Sequence, residues 1–201
     1  MKLIYTLLVL IIVLFIWSAI NPFEYFTWFL EVLPAIIGIV VLILSFKRFR
    51  FTNLVYTLIF IHAAILIIGG HYTYAEVPLF DWLQDTFNQS RNNYDKVGHF
   101  AQGFVPAMIA RELLIRKQVI LKHSWLNFII VCIALAISAT YEFIEWGVSL
   151  STGEGGDSFL GTQGYIWDTQ SDMLYATIGA ISALILLSKR HNEQLKGFEI
   201  D

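Results

Sequence analysis

Six predominantly apolar blocks, each eighteen residues or longer, constrain this chain more than any motif in it. They cover about residues 3–20, 26–46, 51–70, 97–115, 125–150 and 166–188. A helix of about 20 apolar residues crosses a ~30 Å hydrocarbon core. Backbone in lipid must satisfy its own hydrogen bonds, so blocks of this length read as helices. The expectation is an all-α, polytopic membrane protein of six transmembrane helices in one integral membrane domain. Composition agrees: 57% of residues are apolar and only 14% charged, against ~25% charged in an average soluble domain. The bilayer is therefore the first expected partner.

Punctuation between the blocks supports the division. Asn21-Pro22 ends the first block, which is too long for a signal-peptide core and has no A-x-A site at Trp17-Ser18-Ala19-Ile20, so it reads as an uncleaved helix. Residues 78–87 place Leu79, Leu83 and Phe87 on one face and Asp81, Gln84 and Asp85 on the other, the pattern of a short helix lying in the membrane interface. The fifth block would be about 39 Å long, so one end must protrude. Residues 151–165 hold five glycines and read as a loop, in which Glu154 and Asp157 either face solvent or cover a site. Net charge is −3, which argues against a nucleic-acid partner. The single Cys132 excludes an intrachain disulfide.

Charge sets the orientation. Eleven of the thirteen Lys and Arg residues fall at Lys2, 47–50, 111–122 and 189–196; only Arg91 and Lys96 lie on the other side. By the positive-inside rule both termini are cytoplasmic. Twelve of the sixteen acids fall on the outer side or at the outer ends of helices.

Within that outer layer three blocks carry matching polar stripes. Asp95, His99 and Gln102 have helical spacing 0, 4, 7, and so do Ser138, Glu142 and Glu145, and Asp168, Asp172 and Tyr175. Small residues four apart (Gly103 and Ala107, Ala134 and Ser138, Ala176 and Ala180, Gly179 and Ala183) allow close helix approach. Blocks four to six are therefore expected to form the core, with one to three flanking. Five facing carboxylates cannot all remain charged without cations. Lys96 is the expected counter-ion. A divalent metal would neutralise two acids at once, and Asp95, His99, Glu142, Asp168 and Asp172 form an oxygen-rich set with one imidazole, suited to Mg²⁺, Mn²⁺, Ca²⁺ or Zn²⁺. Glu142 or Glu145 would then act as a catalytic base, with Gln102, Ser138 and Tyr175 in support.

Blander readings compete. Asn92 with Asp95, and Thr169 with Asp172, fit capping boxes, and Asp95 and Asp168 suit positive helix ends. Neither explains Glu142 and Glu145, near the C-terminal end of block five. Glu31 reads as snorkelling to the interface, His62 as a histidine hydrogen-bonded between helices, and Asn88-Gln89-Ser90 as a glycosylation sequon relevant only in a eukaryotic secretory pathway.

The run from Asn93-Tyr94-Asp95-Lys96-Val97-Gly98-His99-Phe100 to Pro106-Ala107 resembles the YjdF-type bacterial inner-membrane proteins. So do Tyr141-Glu142-Phe143-Ile144-Glu145, residues 159–164, Trp167-Asp168-Thr169-Gln170 and Asp172-Met173. The resemblance implies a bacterial inner-membrane location and no assigned chemistry. The order D-K-x-x-H-F, a late acid in the next span, then D-x-x-x-D is more distantly similar to the VanZ-like proteins. Three function classes remain open. One is a metal or cation site acting on an envelope or lipid-linked substrate. The second is a small-solute or proton-coupled transporter, disfavoured by apolar spans below Gln102, Ser138 and Tyr175. The third is a non-catalytic assembly protein.

Overall fold

The computed structural model describes residues 2–120, 123–152, 159 and 162–198. Among these residues every regular element is helical. In chain order they are α1 (Lys2–Ser18), α2 (Tyr25–Ser45), α3 (Asn53–Tyr72), a 3-10 turn (Tyr74–Glu76), α4 (Pro78–Thr86), α5 (Tyr94–Arg116), α6 (His123–Thr152) and α7 (Asp168–Leu195). The Glu154 and Asp157 of the expected covering loop lie outside the described residues.

Helices α2, α3, α6 and α7 are long and apolar enough to cross a membrane. Helix α1 is apolar but has 17 residues. Helix α5 has 23 but carries Asp95, Lys96, Arg111 and Glu112. Local chemistry sets the starts. The Glu24 carboxylate accepts from the amides of Phe26 at 2.8 Å and Thr27 at 2.5 Å, capping α2; the Thr52 hydroxyl accepts from Val55 N–H and caps α3. Helix α4 opens on a proline, with Pro78 at a position whose missing N–H costs nothing. Leu79 and Phe87 of the expected apolar face are exposed, as is Trp82, and Leu83 is half-buried.

Helix α5 is the centre of the bundle. It packs chiefly against α7, then α6, then α3. The small residues expected at the contacts are all buried. A methyl group placed on Gly103 would overlap the Ala176 carbonyl, and one on Gly179 the Phe100 carbonyl, so α5 and α7 meet backbone to backbone. Helix α3 does more than flank: Val55, Leu58 and Tyr56 share one core with Val105, Met108, Ile130 and Leu184. Helices α1 and α2 pack on its other side.

Two expectations about α2 and α3 change. Glu31 does not snorkel. It is 1% exposed, with the Thr73–Tyr74 turn as its polar surroundings, and its Oε2 is buried without a hydrogen-bond partner. The Nε2 atom of His62 is buried without a hydrogen-bond partner, so it does not tie two helices together.

Candidate functional site

The first turns of α5 and α7 and the last third of α6 meet at one end of the bundle. There Asp95, Lys96, His99, Glu142, Glu145, Asp168 and Asp172 are all buried. Lys96 is the hub of the ion pairs. Its ammonium lies 2.6 Å from Asp172 Oδ1, 2.8 Å from Asp168 Oδ1 and 3.4 Å from Asp95 Oδ2. Arg91, in the segment before α5, pairs with Asp95 Oδ2 at 3.3 Å and with Asp168, and also donates to the Thr162 carbonyl at 3.1 Å.

His99 sits beneath this lattice, 4% exposed. Its Nε2 is 3.1 Å from Asp95 Oδ1 and 3.9 Å from Asp172 Oδ2. Each of these aspartates thus turns one oxygen to Lys96 and the other to His99. The opposite ring nitrogen, Nδ1, faces Gln102 Oε1 at 3.3 Å and Glu142 Oε1 at 3.7 Å. Glu142 Oε1 is buried with no hydrogen-bond partner. Glu145 is buried one turn on, and the Tyr141 ring stands 6.2 Å from the imidazole. The Ser138 hydroxyl is buried and unpartnered.

A ligand atom from each of Asp95, His99 and Asp172 lies within 4.8 Å of the other two. The expected metal set was larger. Asp168 is turned toward Arg91 and Lys96, and Glu142 lies on the Nδ1 face, so neither joins this triad. Tyr175 leaves the cluster: it is 40% exposed, because the buried face of α7 runs through Asp172, Ala176, Gly179, Ala180 and Ala183 and turns Tyr175 outward. The capping boxes do not form either. Asp95 and Asp172 spend their oxygens on cations and His99, and Asn93 and Trp167 make no side-chain cap; of the expected partners only Asn92 takes a first-turn amide, that of Tyr94.

Sequence reading missed Arg91 and the clasp that holds it. Asn92 and Gln163 bond reciprocally, Asn92 N–H to Gln163 Oε1 at 3.0 Å and Gln163 Nε2 to Asn92 O at 2.9 Å. The Asn92 side chain donates to Val77 O at 3.1 Å and Asp81 Oδ1 at 2.7 Å, and accepts from Tyr94 N–H at 3.0 Å. Three loop segments are thereby tied over the site. Arg91 is one of only two cations on the acidic side of the sequence, and that was the available signal.

A second buried polar cluster closes the opposite end of α5 and α7. Glu112 and His191 are each 0% exposed. The Glu112 carboxylate accepts from Thr52 N–H at 2.9 and 3.1 Å, Thr52 Oγ1 at 2.8 Å, Arg116 at 2.9 Å and His191 Nε2 at 3.0 Å. Arg111 lies 2.8 Å from His191 Nδ1 and donates to Asn192 Oδ1 at 2.6 Å. Arginine can only donate, so Nδ1 accepts and Nε2 carries the proton that goes to Glu112. Glu112 and both ring nitrogens of His191 have partners of opposite role, while the Nε atoms of Arg111 and Arg116 are buried without one; the bonds made join α3, α5 and α7 as a structural clasp.

Residues 3–193 match the family described as "Predicted membrane protein (DUF2238)", and the chain belongs to that family. It is similar to "Inner membrane protein YjdF" of Escherichia coli (strain K12), with 49% identity over 183 residues, covering 91% of this chain and 88% of that protein. No solved structure matches.

Proposed function

We propose that the chain crosses the inner membrane six times with both termini cytoplasmic, and that the Asp95 end faces outward. There Asp95, His99 and Asp172 hold a divalent cation that serves chemistry on an envelope or lipid-linked substrate. One observation carries this reading: three ligand atoms from two helices converge within 4.8 Å, while the remaining oxygens of the same two aspartates are satisfied by Lys96 and Arg91. Five buried carboxylates face two permanent cations, so the cluster carries excess negative charge that a divalent ion offsets. Two carboxylate oxygens and one imidazole suit Mg²⁺, Mn²⁺ or Zn²⁺. Gln102 Oε1, 3.3 Å from the far ring nitrogen, accepts its proton, and the Glu142 carboxylate stands beside it at 3.7 Å, which leaves Nε2 free to ligate and fixes the ring. On this geometry Glu142 is a positioning residue, and Glu145 is the acid left for base chemistry. The distant likeness to VanZ-like proteins rests on the same D-K-x-x-H-F order.

A second reading rests on the same ring. Both His99 nitrogens face acceptors, so an imidazolium also satisfies the site, and the cluster would then store a proton. Transport is disfavoured, because from Gln102 to Arg111 the buried face of α5 is apolar over about 14 Å and meets α7 backbone to backbone.

Metal content decides between the readings. Protein purified, stripped with chelator and reloaded with Mg²⁺, Mn²⁺ or Zn²⁺ should retain one ion by mass spectrometry. Asp172→Asn should lose it, and Glu142→Gln should weaken it roughly 10- to 100-fold. An unloaded wild type after all three ions would sink the metal reading and leave the proton site.

A further inference from the structure

Helices α1, α2 and α3 enclose an apolar cavity of about 240 Å³, lined among others by Ile4, Leu8, Leu42, Phe46, Ile59 and Ala63. Its walls run from Ile4 to Ile11, from Ile39 to Phe46 and from Tyr56 to Ala63. They cover about 10 Å along each helix. These are the first half of α1, the last half of α2 and the first half of α3, so the cavity occupies the Glu112 end of the protein. It lies far from the Asp95–His99 cluster and is independent of what that cluster does. Tyr5 and Ile43, which also line it, are 55% and 59% exposed, so the cavity opens sideways, into the layer where lipid chains lie.

The rim of this cavity is basic. Lys2, Lys47, Arg48 and Arg50 are exposed at the same ends of the same helices. The Arg50 guanidinium lies 4.8 Å from the centroid of the Phe46 ring, so rim and wall are continuous. From Lys2 to Tyr72 the only acids are Glu24 and Glu31, and both sit at the opposite end. Glu112 at this end is already enclosed by Thr52, Arg116 and His191.

We propose that this is a binding site for one anionic phospholipid, with an acyl chain in the cavity and the phosphate on the basic rim. Apolar cavities of ~150 Å³ stay dry and take up apolar guests. In a bilayer the guest at hand is an acyl chain, and basic residues beside a membrane helix favour anionic headgroups. Hydrocarbon accounts for the cavity and phosphate for the rim; a phospholipid supplies both in one molecule.

The test uses the full chain in mild detergent and native mass spectrometry, titrated with a phosphatidylglycerol and with a phosphatidylcholine of the same chains. One saturable phosphatidylglycerol is expected, held on the order of tenfold more tightly than phosphatidylcholine, since each nearby cation favours an anionic headgroup by about fivefold. The triple variant Lys47→Gln, Arg48→Gln, Arg50→Gln alters exposed side chains and should bring the two lipids to parity. Ala63→Phe fills the cavity and should abolish the saturable lipid of either kind. Equal retention of both lipids by the wild type, or adducts that accumulate without a saturable first step, would mean annular lipid only and overturn the assignment. So would a bound lipid that survives Ala63→Phe. If Ala63→Phe fails to fold, the triple variant decides, and an undiminished preference for phosphatidylglycerol overturns it.

Discussion

Glu112→Gln gives the sharpest test of how the bundle is closed. The change keeps shape and volume and replaces one carboxylate oxygen with an NH₂. All the groups around Glu112 are donors: Thr52 N–H, Thr52 Oγ1, Arg116 Nη1 and His191 Nε2. Placed at the Oε1 position, the new NH₂ faces the Thr52 amide and Arg116, neither of which can accept. Placed at Oε2, it meets the Thr52 hydroxyl, which can rotate, and His191 Nε2. His191 can accept there only by moving its proton to Nδ1, where Arg111 Nη1 stands 2.8 Å away as a donor. Either orientation loses one or two charge-assisted hydrogen bonds, at about 1.5–3 kcal/mol each. It also leaves Arg116 without its buried carboxylate. The expected loss is about 3–5 kcal/mol, read from reversible denaturant unfolding in detergent. Arg111→Met should relieve the conflict by freeing Nδ1, so the double variant should be less destabilised than the sum of the singles, with coupling of about 0.5–3 kcal/mol. A Glu112→Gln loss below about 1 kcal/mol would refute the donor count. Additivity within roughly 0.5 kcal/mol would refute the fixed tautomer.

Two further outcomes follow from helix contact and from charge. Gly103→Ala should cost about 1–3 kcal/mol because its methyl meets the Ala176 backbone, whereas Gly38→Ala, with nothing within 4 Å, should stabilise by up to about 1 kcal/mol; equal effects in the same unfolding assay would contradict the packing of α5 on α7. Reporter fusions after Lys122 and after Gly156 should report opposite sides of the membrane, and a shared side would reverse the placement of the Asp95 cluster.

Much of the site could be read from helical periodicity. Asp95 with His99 and Glu142 with Glu145 lie on the buried faces that their spacing implied, because a polar stripe on an otherwise apolar helix has one place to go. Tyr175 failed for a local reason: on α7 the close contact with α5 follows the small residues Ala176, Gly179 and Ala180, and that contact sets the rotation of the helix. Arg91 and Gln163 were illegible because they sit in loops, where no period fixes direction, and Gln163 reaches Asn92 across 71 positions. The Glu112–His191 pair was hidden by its surroundings. Arg111, Arg116 and Lys117 read as an ordinary basic flank, and a charge-based argument has no means of telling a solvated arginine from one that holds a buried histidine 80 positions away. Glu31 was misplaced because the turn at Thr73–Tyr74, which surrounds it, has no helical signature.

The backbone contact between Gly103 and Ala176 has a mechanical side. On α5 it lies eight residues from Asp95 and nine from Glu112, about 12 and 14 Å. With no side chain between the two helices at that point, neither slides nor turns on its neighbour without collision. What remains is pivoting. The contact is a fulcrum with nearly equal arms, one ending in the Lys96 ion pairs with Asp168 and Asp172 and the other in the Arg111–His191–Glu112 clasp.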